Sequence, residues 1–147
     1  ARGFVNYIPS KPVISFDTTT APADEFSLEI KKLLRVSNAQ NLGIQLASAF
    51  SPGNTTPQGE VYRKRFMQEI STGTGRAYFE NFVIRMYRQY FTIEEVKQVT
   101  AFYESDAGRK ILRILPTLLA DIQQQVKPIA EYFASKVLYD LYEEEKK

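Results

Sequence analysis

The feature that most constrains this chain is a regular apolar repeat in its last quarter. Nine apolar residues recur there at steps of three or four positions, a spacing that places them on one side of an α-helix. They are Ile111, Leu115, Leu118, Ile122, Val126, Ile129, Phe133, Val137 and Leu141. This stripe predicts one long C-terminal helix with a single face against a core. Pro116 and Pro128 fall within it, and because each removes a backbone donor we expect a kink or one restart.

Shorter segments with the same periodicity fill the chain from Asp24 onward, and each has its own predicted inward side. Successive helices are predicted to bury Phe26, Ile30, Leu33 and Leu34; Leu42, Leu46, Ala49 and Phe50; Val61, Tyr62, Phe66 and Ile70 (about 58–71); Phe79, Phe82, Val83, Met86, Tyr87 and Tyr90 (76–91); and Val96, Val99, Phe102 and Tyr103. A polar loop over 51–57 separates the second from the third. The pattern predicts an all-α bundle of five to seven helices with a long kinked C-terminal helix.

Capping residues mark where several of these helices begin. Thr92 stands three residues before a glutamate, which is the spacing of a capping box. Ser37 and Gln40 have the same spacing and predict the start of the second helix. Ser105 is predicted to cap the last helix, with Asp106 in its first turn. The pair Gly73 and Gly75 precedes a helix but lacks the strand and the lysine of a phosphate-binding loop, so we interpret it as a turn.

Residues 1–23 follow a different pattern and predict an extended N-terminal arm before a helical domain over 24–147. Three prolines and a run of three threonines disfavour a helix in this arm. The only strand signal in the chain is a short one over 13–16. The arm is nevertheless rich in apolar and aromatic residues, which disordered tails lack. We therefore expect it to dock, either on its own chain or on a partner.

The amino-acid composition excludes several kinds of chemistry. The 147 residues include no cysteine and no histidine, so thiol nucleophiles, disulfides, imidazole bases and the usual zinc sites are excluded. Nineteen basic residues against seventeen acidic ones form no concentrated basic stripe, so no nucleic-acid partner is expected. No apolar stretch is long enough for a transmembrane segment, so any membrane association is expected to run through partners. We predict no catalytic residue, cofactor or metal.

Two charged clusters each have a structural explanation beside a chemical one. The acidic residues Glu94, Glu95, Glu104 and Asp106 offer paired carboxylates, but helix starts favour acids at these positions. The basic run over 63–65 lies between two aromatic residues, and a solvated helix face explains it better than an RNA or lipid patch. The structural interpretation is preferred for both clusters.

Aromatic side chains are the best candidates for contact with a partner. The chain has nine tyrosines and ten phenylalanines, more than a small core needs. Tyrosine is favoured on half-buried surfaces. A second row beside the C-terminal stripe consists of Tyr132, Tyr139 and Tyr142, and the arm adds Phe4, Tyr7 and Phe16. The tyrosine row has an alternative explanation as part of a wide core-facing side.

A longer pattern links the last two predicted helices. The sequence runs Tyr-Phe-Thr-Ile-Glu-Glu-Val-Lys over 90–97, Ala-Phe-Tyr-Glu-Ser over 101–105 and Gly-Arg-Lys-Ile-Leu over 108–112, followed by Pro116. This pattern resembles the core signature of domain-of-unknown-function family 2059, whose members are typically small helical proteins exported to the Gram-negative bacterial envelope. The resemblance implies a family-like core over 76–135 and a periplasmic mature chain whose signal peptide has been removed. Asp106 stands where the family usually has proline, and both residues suit a first helical turn.

Three functional hypotheses remain. The first is a non-enzymatic envelope interaction or structural module, either an accessory subunit of a periplasmic assembly or a homo-oligomer. The second is a periplasmic carrier or chaperone-like binder of an apolar ligand or polypeptide, with the aromatic helix 76–91 lining its pocket. An enzyme using carboxylates with tyrosine or lysine is the third. The missing reactive side chains and the surplus of tyrosine favour the first hypothesis.

Overall fold

The computed structural model describes residues 8–51 and 56–147 and shows an all-α protein. Its six helices are α1 (Glu25–Val36), α2 (Leu42–Ser48), α3 (Pro57–Ser71), α4 (Gly73–Tyr90), α5 (Ile93–Glu104) and α6 (Asp106–Glu145). This confirms the predicted fold class and the long last helix. No strand forms in the described residues, so the weak strand signal over 13–16 was wrong. Residues 52–55 of the predicted loop, like Phe4 and Tyr7, lie outside the described residues.

The chain divides into two compact units, one ending at Tyr103 and the other beginning at Glu104. The first unit contains the arm, α1 to α4 and all but the last residue of α5. The second contains α6. The predicted division into an arm over 1–23 and a helical domain over 24–147 stays a prediction.

The first unit has a small core built around α1. Asp24 caps this helix by accepting a 2.9 Å hydrogen bond from the Ser27 backbone N–H. The buried cluster consists of Ala21, Ile30, Leu33, Leu34, Val83, Ile84 and Val96. Its members come from the end of the arm, α1, α4 and α5, and the predicted inward residues Ile30, Leu33 and Leu34 of α1 are all buried. Periodicity therefore gave the correct face for α1.

The start of α2 was predicted wrongly. Ser37 ends α1 instead of beginning α2, and its hydroxyl donates a 2.7 Å hydrogen bond to the Leu33 carbonyl. Asn38 then adopts φ 59°, a left-handed conformation that stops the helix and that asparagine tolerates. The inward side of α2 is Ile44, whereas the predicted Leu46 and Phe50 are exposed.

The corner between α3 and α4 depends on its glycines. Gly73 has φ +53° and begins α4, three residues before the predicted start. A Cβ atom added to Gly75 would lie 2.0 Å from the Glu69 carbonyl oxygen, so only glycine fits where α4 passes the end of α3. The interpretation of this glycine pair as a turn is correct, but α4 begins at Gly73 and not at residue 76 as predicted.

The predicted inward faces of α3, α4 and α5 were only partly correct. In α3 two of the four predicted residues are exposed and two half-buried. In α4 Val83 is buried as predicted, Phe82 and Tyr90 are exposed, and Ile84 is buried without having been predicted. In α5 Val96 is fully buried, whereas Val99 and Phe102 are exposed. The exposed predictions are Val61, Tyr62, Phe82, Tyr90, Val99 and Phe102.

The caps of α5 and α6 match the sequence prediction. The Thr92 backbone N–H donates to Glu95 Oε1 at 2.9 Å, and the Glu95 N–H donates to Thr92 Oγ1 at 3.1 Å, which completes a capping box. Ser105 Oγ accepts from the Gly108 N–H at 3.1 Å. The helix α6 continues unbroken through Pro116 and Pro128, so the predicted restart does not occur. A kink at either proline stays a prediction.

Candidate interaction surfaces

One side of α6 presents a long row of exposed apolar side chains. We call the α6 apolar face the nine residues Ile111, Leu115, Leu118, Ile122, Val126, Ile129, Phe133, Val137 and Leu141. Each of these side chains is 39–58% exposed. The apolar period predicted that this stripe faces a core, and that expectation was wrong because periodicity identifies the apolar side of a helix but not what covers it. A contiguous apolar surface of this size is typical of an interaction site.

The predicted tyrosine row lies on the same helix and is exposed. Tyr132 packs edge-on against Phe133 with ring centroids 5.1 Å apart, which joins the row to the α6 apolar face. Lys146 Nζ lies 4.5 Å from the centre of the Tyr142 ring, a cation–π contact. All three tyrosines of the row, including Tyr139, are more than half exposed. Their role in binding a partner stays a prediction.

The charges of α6 are distributed unevenly between its ends. The segment 106–113 carries Arg109, Lys110 and Arg113 against Asp106, a net charge of +2. The segment 140–147 carries two lysines against four acids, a net charge of −2; the acids are Asp140, Glu143, Glu144 and Glu145. Within the acidic segment Asp140 accepts a 2.6 Å hydrogen bond from Lys136. The helix is therefore basic at its beginning and acidic at its end.

The last part of the arm docks on α4 of the same chain. The Arg85 guanidinium donates hydrogen bonds to the backbone carbonyls of Asp17 and Thr19. Asn81 Oδ1 accepts a 2.8 Å hydrogen bond from the Ala21 N–H. Hydrogen bonds from Thr19, with the nearby Arg85 charge, hold the pKa of Asp17 below its ordinary value. Residues 17–21 are thus fastened by polar contacts that the sequence analysis did not identify.

Among the aromatic candidates of the arm, the structure describes Phe16. Its ring meets Tyr78 of α4 edge-on, with centroids 5.4 Å apart, yet the side chain is still more than half exposed. Phe4 and Tyr7 lie outside the described residues. A groove of about 590 Å³ lies beside Phe16 and is lined mainly by apolar side chains of α4. Its lining includes Tyr78, Phe79, Phe82, Met86 and Arg85.

Arg88 is a second basic residue whose role the sequence analysis missed. Its Nη1 donates to Asp24 Oδ1 at 2.7 Å and to Ser27 Oγ at 3.2 Å, and its guanidinium lies 4.7 Å from the centre of the Phe26 ring. The hydrogen bond from the Ser27 backbone, followed by the one from Arg88, lowers the pKa of Asp24. Arg85 and Arg88 thus join α4 to the arm and to the start of α1.

Local structure accounts for part of each charged cluster with possible chemistry. Glu95 completes the cap of α5. In the basic run, Arg63 pairs with Glu60 at 3.0 Å and Arg65 with Glu69 at 3.2 Å, both on the exposed side of α3. Within residues 8–51 and 56–147, no group of three or more acidic side chains is arranged to hold a metal ion. No helix in this part of the chain has the length and apolar character needed to cross a membrane.

Comparison with known proteins identifies one family. Residues 78–135 match the model of a family described as an uncharacterized protein conserved in bacteria (DUF2059). That match confirms the resemblance to family 2059. The matched residues span most of α4, all of α5 and about three-quarters of α6, and they exclude the arm and α1 to α3. Searches of curated proteins and of solved structures found no match.

The DUF2059 segment includes most of the α6 apolar face. Seven of its nine residues, from Ile111 to Phe133, fall inside the matched range. The segment also contains both caps, the Thr92 capping box and Ser105. The groove beside Phe16 lies partly inside the match: its six lining residues from α4 fall within the matched range, whereas Phe16 and Asp17 belong to the arm outside it.

Proposed function

We propose that this protein is a non-enzymatic interaction module of the bacterial envelope. It acts in the periplasm as an accessory subunit or a homo-oligomer, and its docking surface is the α6 apolar face. The observation that carries the proposal is the exposure of nine large apolar side chains along one helix. The stripe from Ile111 to Leu141 covers 30 steps of about 1.5 Å, or roughly 45 Å of surface. The periplasmic location follows the family resemblance.

The energetics of an uncovered helix support this assignment. Most helical stability in proteins comes from burial of an apolar face and little from intrinsic propensity. The two internal prolines each cost about 3 kcal/mol in a helix interior, which increases the need for such burial. Fully burying one Leu, Ile or Phe side chain contributes roughly 1.5–3 kcal/mol. Because the nine side chains are already about half buried, a partner that covers the α6 apolar face adds roughly 0.7–1.5 kcal/mol for each, which together offsets the cost of the two prolines.

A photocrosslinking experiment tests the surface directly. The photoreactive residue p-benzoylphenylalanine replaces Val126, on the α6 apolar face, or Gln124, which lies about 200° away around the helix, as the matched control. Irradiation of intact bacterial cells that make the full chain should give a discrete adduct, identified by mass spectrometry, from position 126 and little from position 124. Equal adducts from both positions, or none from either, would contradict the proposal.

The groove beside Phe16 supports the carrier hypothesis as a second candidate. Its volume of about 590 Å³ falls within the usual range for small-molecule sites, and half of its lining residues are aromatic. The carrier hypothesis needs an enclosed pocket, whereas this groove is partly open to solvent. The fluorescent apolar probe N-phenyl-1-naphthylamine tests it. Binding that is lost in Phe82→Ala but retained in Phe50→Ala, a variant with no residue in the groove, would support a ligand site; equal binding by both variants would exclude it.

A further inference from the structure

We propose that the α6 apolar face pairs with the same face of a second copy of this chain, and that the two helices run antiparallel with Val126 at the centre. The inference rests on the proposed function and names its partner. Three features of α6 support it: the period of its apolar residues, the opposite charges of its ends, and the area of the exposed face.

The period of the apolar residues favours a straight helical partner. Ile111, Ile122 and Phe133 are spaced 11 residues apart. Leu115, Val126 and Val137 repeat the same spacing. An 11-residue repeat corresponds to about 3.67 residues per turn, close to the 3.6 of an unstrained helix, so the stripe follows the helix axis with little drift. A second straight helix of the same kind can therefore contact it along its whole length.

The charges of the two ends select the antiparallel arrangement. In a parallel pair, residues 106–113 of one copy, with a net charge of +2, would lie beside the same residues of the other copy. The two segments 140–147, each with a net charge of −2, would also lie side by side, so both ends would repel. An antiparallel pair places each basic end beside the acidic end of its partner, and the helix dipoles also oppose one another favourably. The two prolines do not obstruct this contact, because neither Pro116 nor Pro128 belongs to the stripe.

The exposed area is large enough for a stable dimer. Nine apolar side chains, each about half exposed, offer on the order of 800 Å² from each copy, the contribution of one partner to a standard-size protein interface. The tyrosine row flanks the stripe with side chains of the type enriched at interfaces. The predicted candidates Tyr132, Tyr139 and Tyr142 would then border the contact.

The symmetry of the stripe fixes the register. Val126 is the midpoint between Ile111 and Leu141, so an antiparallel pair centred on it places those two residues opposite each other. Leu115 of one copy then lies opposite Val137 of the other. In this register Leu115 of one copy and Leu115 of the other are separated along the helix axis by 22 residue steps, or about 33 Å. No short cross-linker spans that distance.

The cysteine-free sequence permits a site-specific test on the full chain. The test uses Leu115→Cys and Val137→Cys variants, one with an added tag so that mixed dimers differ in size. Each variant alone, and an equimolar mixture of the two, is treated with a short bismaleimide. We expect the mixture to form mixed cross-linked dimers about tenfold or more above each variant alone, because paired thiols react at high effective concentration. A Gln124→Cys variant, off the apolar face, is the matched control and should remain uncross-linked.

The other outcomes separate this inference from the proposed function. Self-cross-linking of Leu115→Cys without mixed dimers would show a parallel pair and overturn the antiparallel arrangement. Absence of any cross-link, together with a position-specific photoadduct from residue 126 to a different protein, would overturn self-association and leave the interaction module standing. Absence of both cross-link and photoadduct would overturn both.

Discussion

Helices α1 and α6 have the same kind of apolar stripe and different surroundings. In α1 the residues Ile30, Leu33 and Leu34 are 0%, 4% and 6% exposed. In α6 the corresponding face is about half exposed along its whole length. The α1 face is covered by residues of α4, α5 and the arm that join it in one buried cluster. Two similar patterns therefore have different roles, one in holding a unit together and the other, as we propose, in joining two molecules.

The largest expected effect separates the two helices by stability. Ile30→Ala should lower the free energy of unfolding of the first unit by about 2–5 kcal/mol, because it leaves a cavity in the core. The matched change Ile122→Ala in α6 should leave that unit unchanged within about 0.5 kcal/mol, since a half-exposed side chain leaves no buried cavity. Urea titration of each full-length variant at low protein concentration measures both. Equal losses would contradict the distinction between the helices.

A second prediction concerns the close packing that the first unit needs. Gly75→Ala should destabilise this unit by about 1–3 kcal/mol, because the new Cβ atom would meet the Glu69 carbonyl oxygen. Gly73→Ala is the control, with no neighbour within 4 Å and a cost of roughly 1–2 kcal/mol from its positive φ. Thermal unfolding monitored by circular dichroism compares them. A Gly75→Ala variant as stable as the wild type would show that the α3–α4 corner is looser than described.

The capping box gives a smaller effect. Thr92→Ala should cost about 1 kcal/mol, because the Glu95 backbone N–H at the start of α5 loses the Thr92 Oγ1 that accepts its hydrogen bond. Thr92→Ser keeps the hydroxyl and should retain most of the stability. Urea unfolding again provides the measurement, and identical midpoints for wild type and Thr92→Ala would show that the box does not support the first unit.

The smallest expected effect is a pH dependence of the arm and of the start of α1. The pKa values of Asp17 and Asp24 are both lowered in the folded chain by hydrogen bonds and a nearby arginine. An aspartate in the unfolded chain has a pKa of about 4, so above this pH the two charged carboxylates stabilise the folded state. This stabilisation is lost as the pH falls through the lower pKa values that the two aspartates have in the folded chain. Asp24→Asn should flatten the stability–pH curve between about pH 5 and 2. An unchanged curve would show that the charge of Asp24, held by the Ser27 backbone N–H and by Arg88, does not stabilise the fold.

The sequence predicted several local features correctly but not the surroundings of each element. The Thr92–Glu95 box and the Ser105 cap were predictable because both partners lie within one helical turn. Ser37 was assigned to the wrong helix because a serine hydroxyl satisfies either end. The contacts of Arg85 with residues 17 and 19 span more than 60 positions, so no local pattern revealed them. The cover over a helix face depends on such long-range contacts, and for this reason the α6 stripe was mistaken for a core element.

The partner of the α6 apolar face is tested most directly by sedimentation equilibrium of the intact chain. We expect the wild type and Gln124→Lys to form dimers, and Val126→Lys to dissociate at least about 100-fold more readily, because an unpaired charge buried in an interface costs about 3–5 kcal/mol. Unchanged urea unfolding of the first unit in Val126→Lys would confirm that this unit remains folded. Monomers in all three samples, or equal association by all three, would contradict pairing through this face.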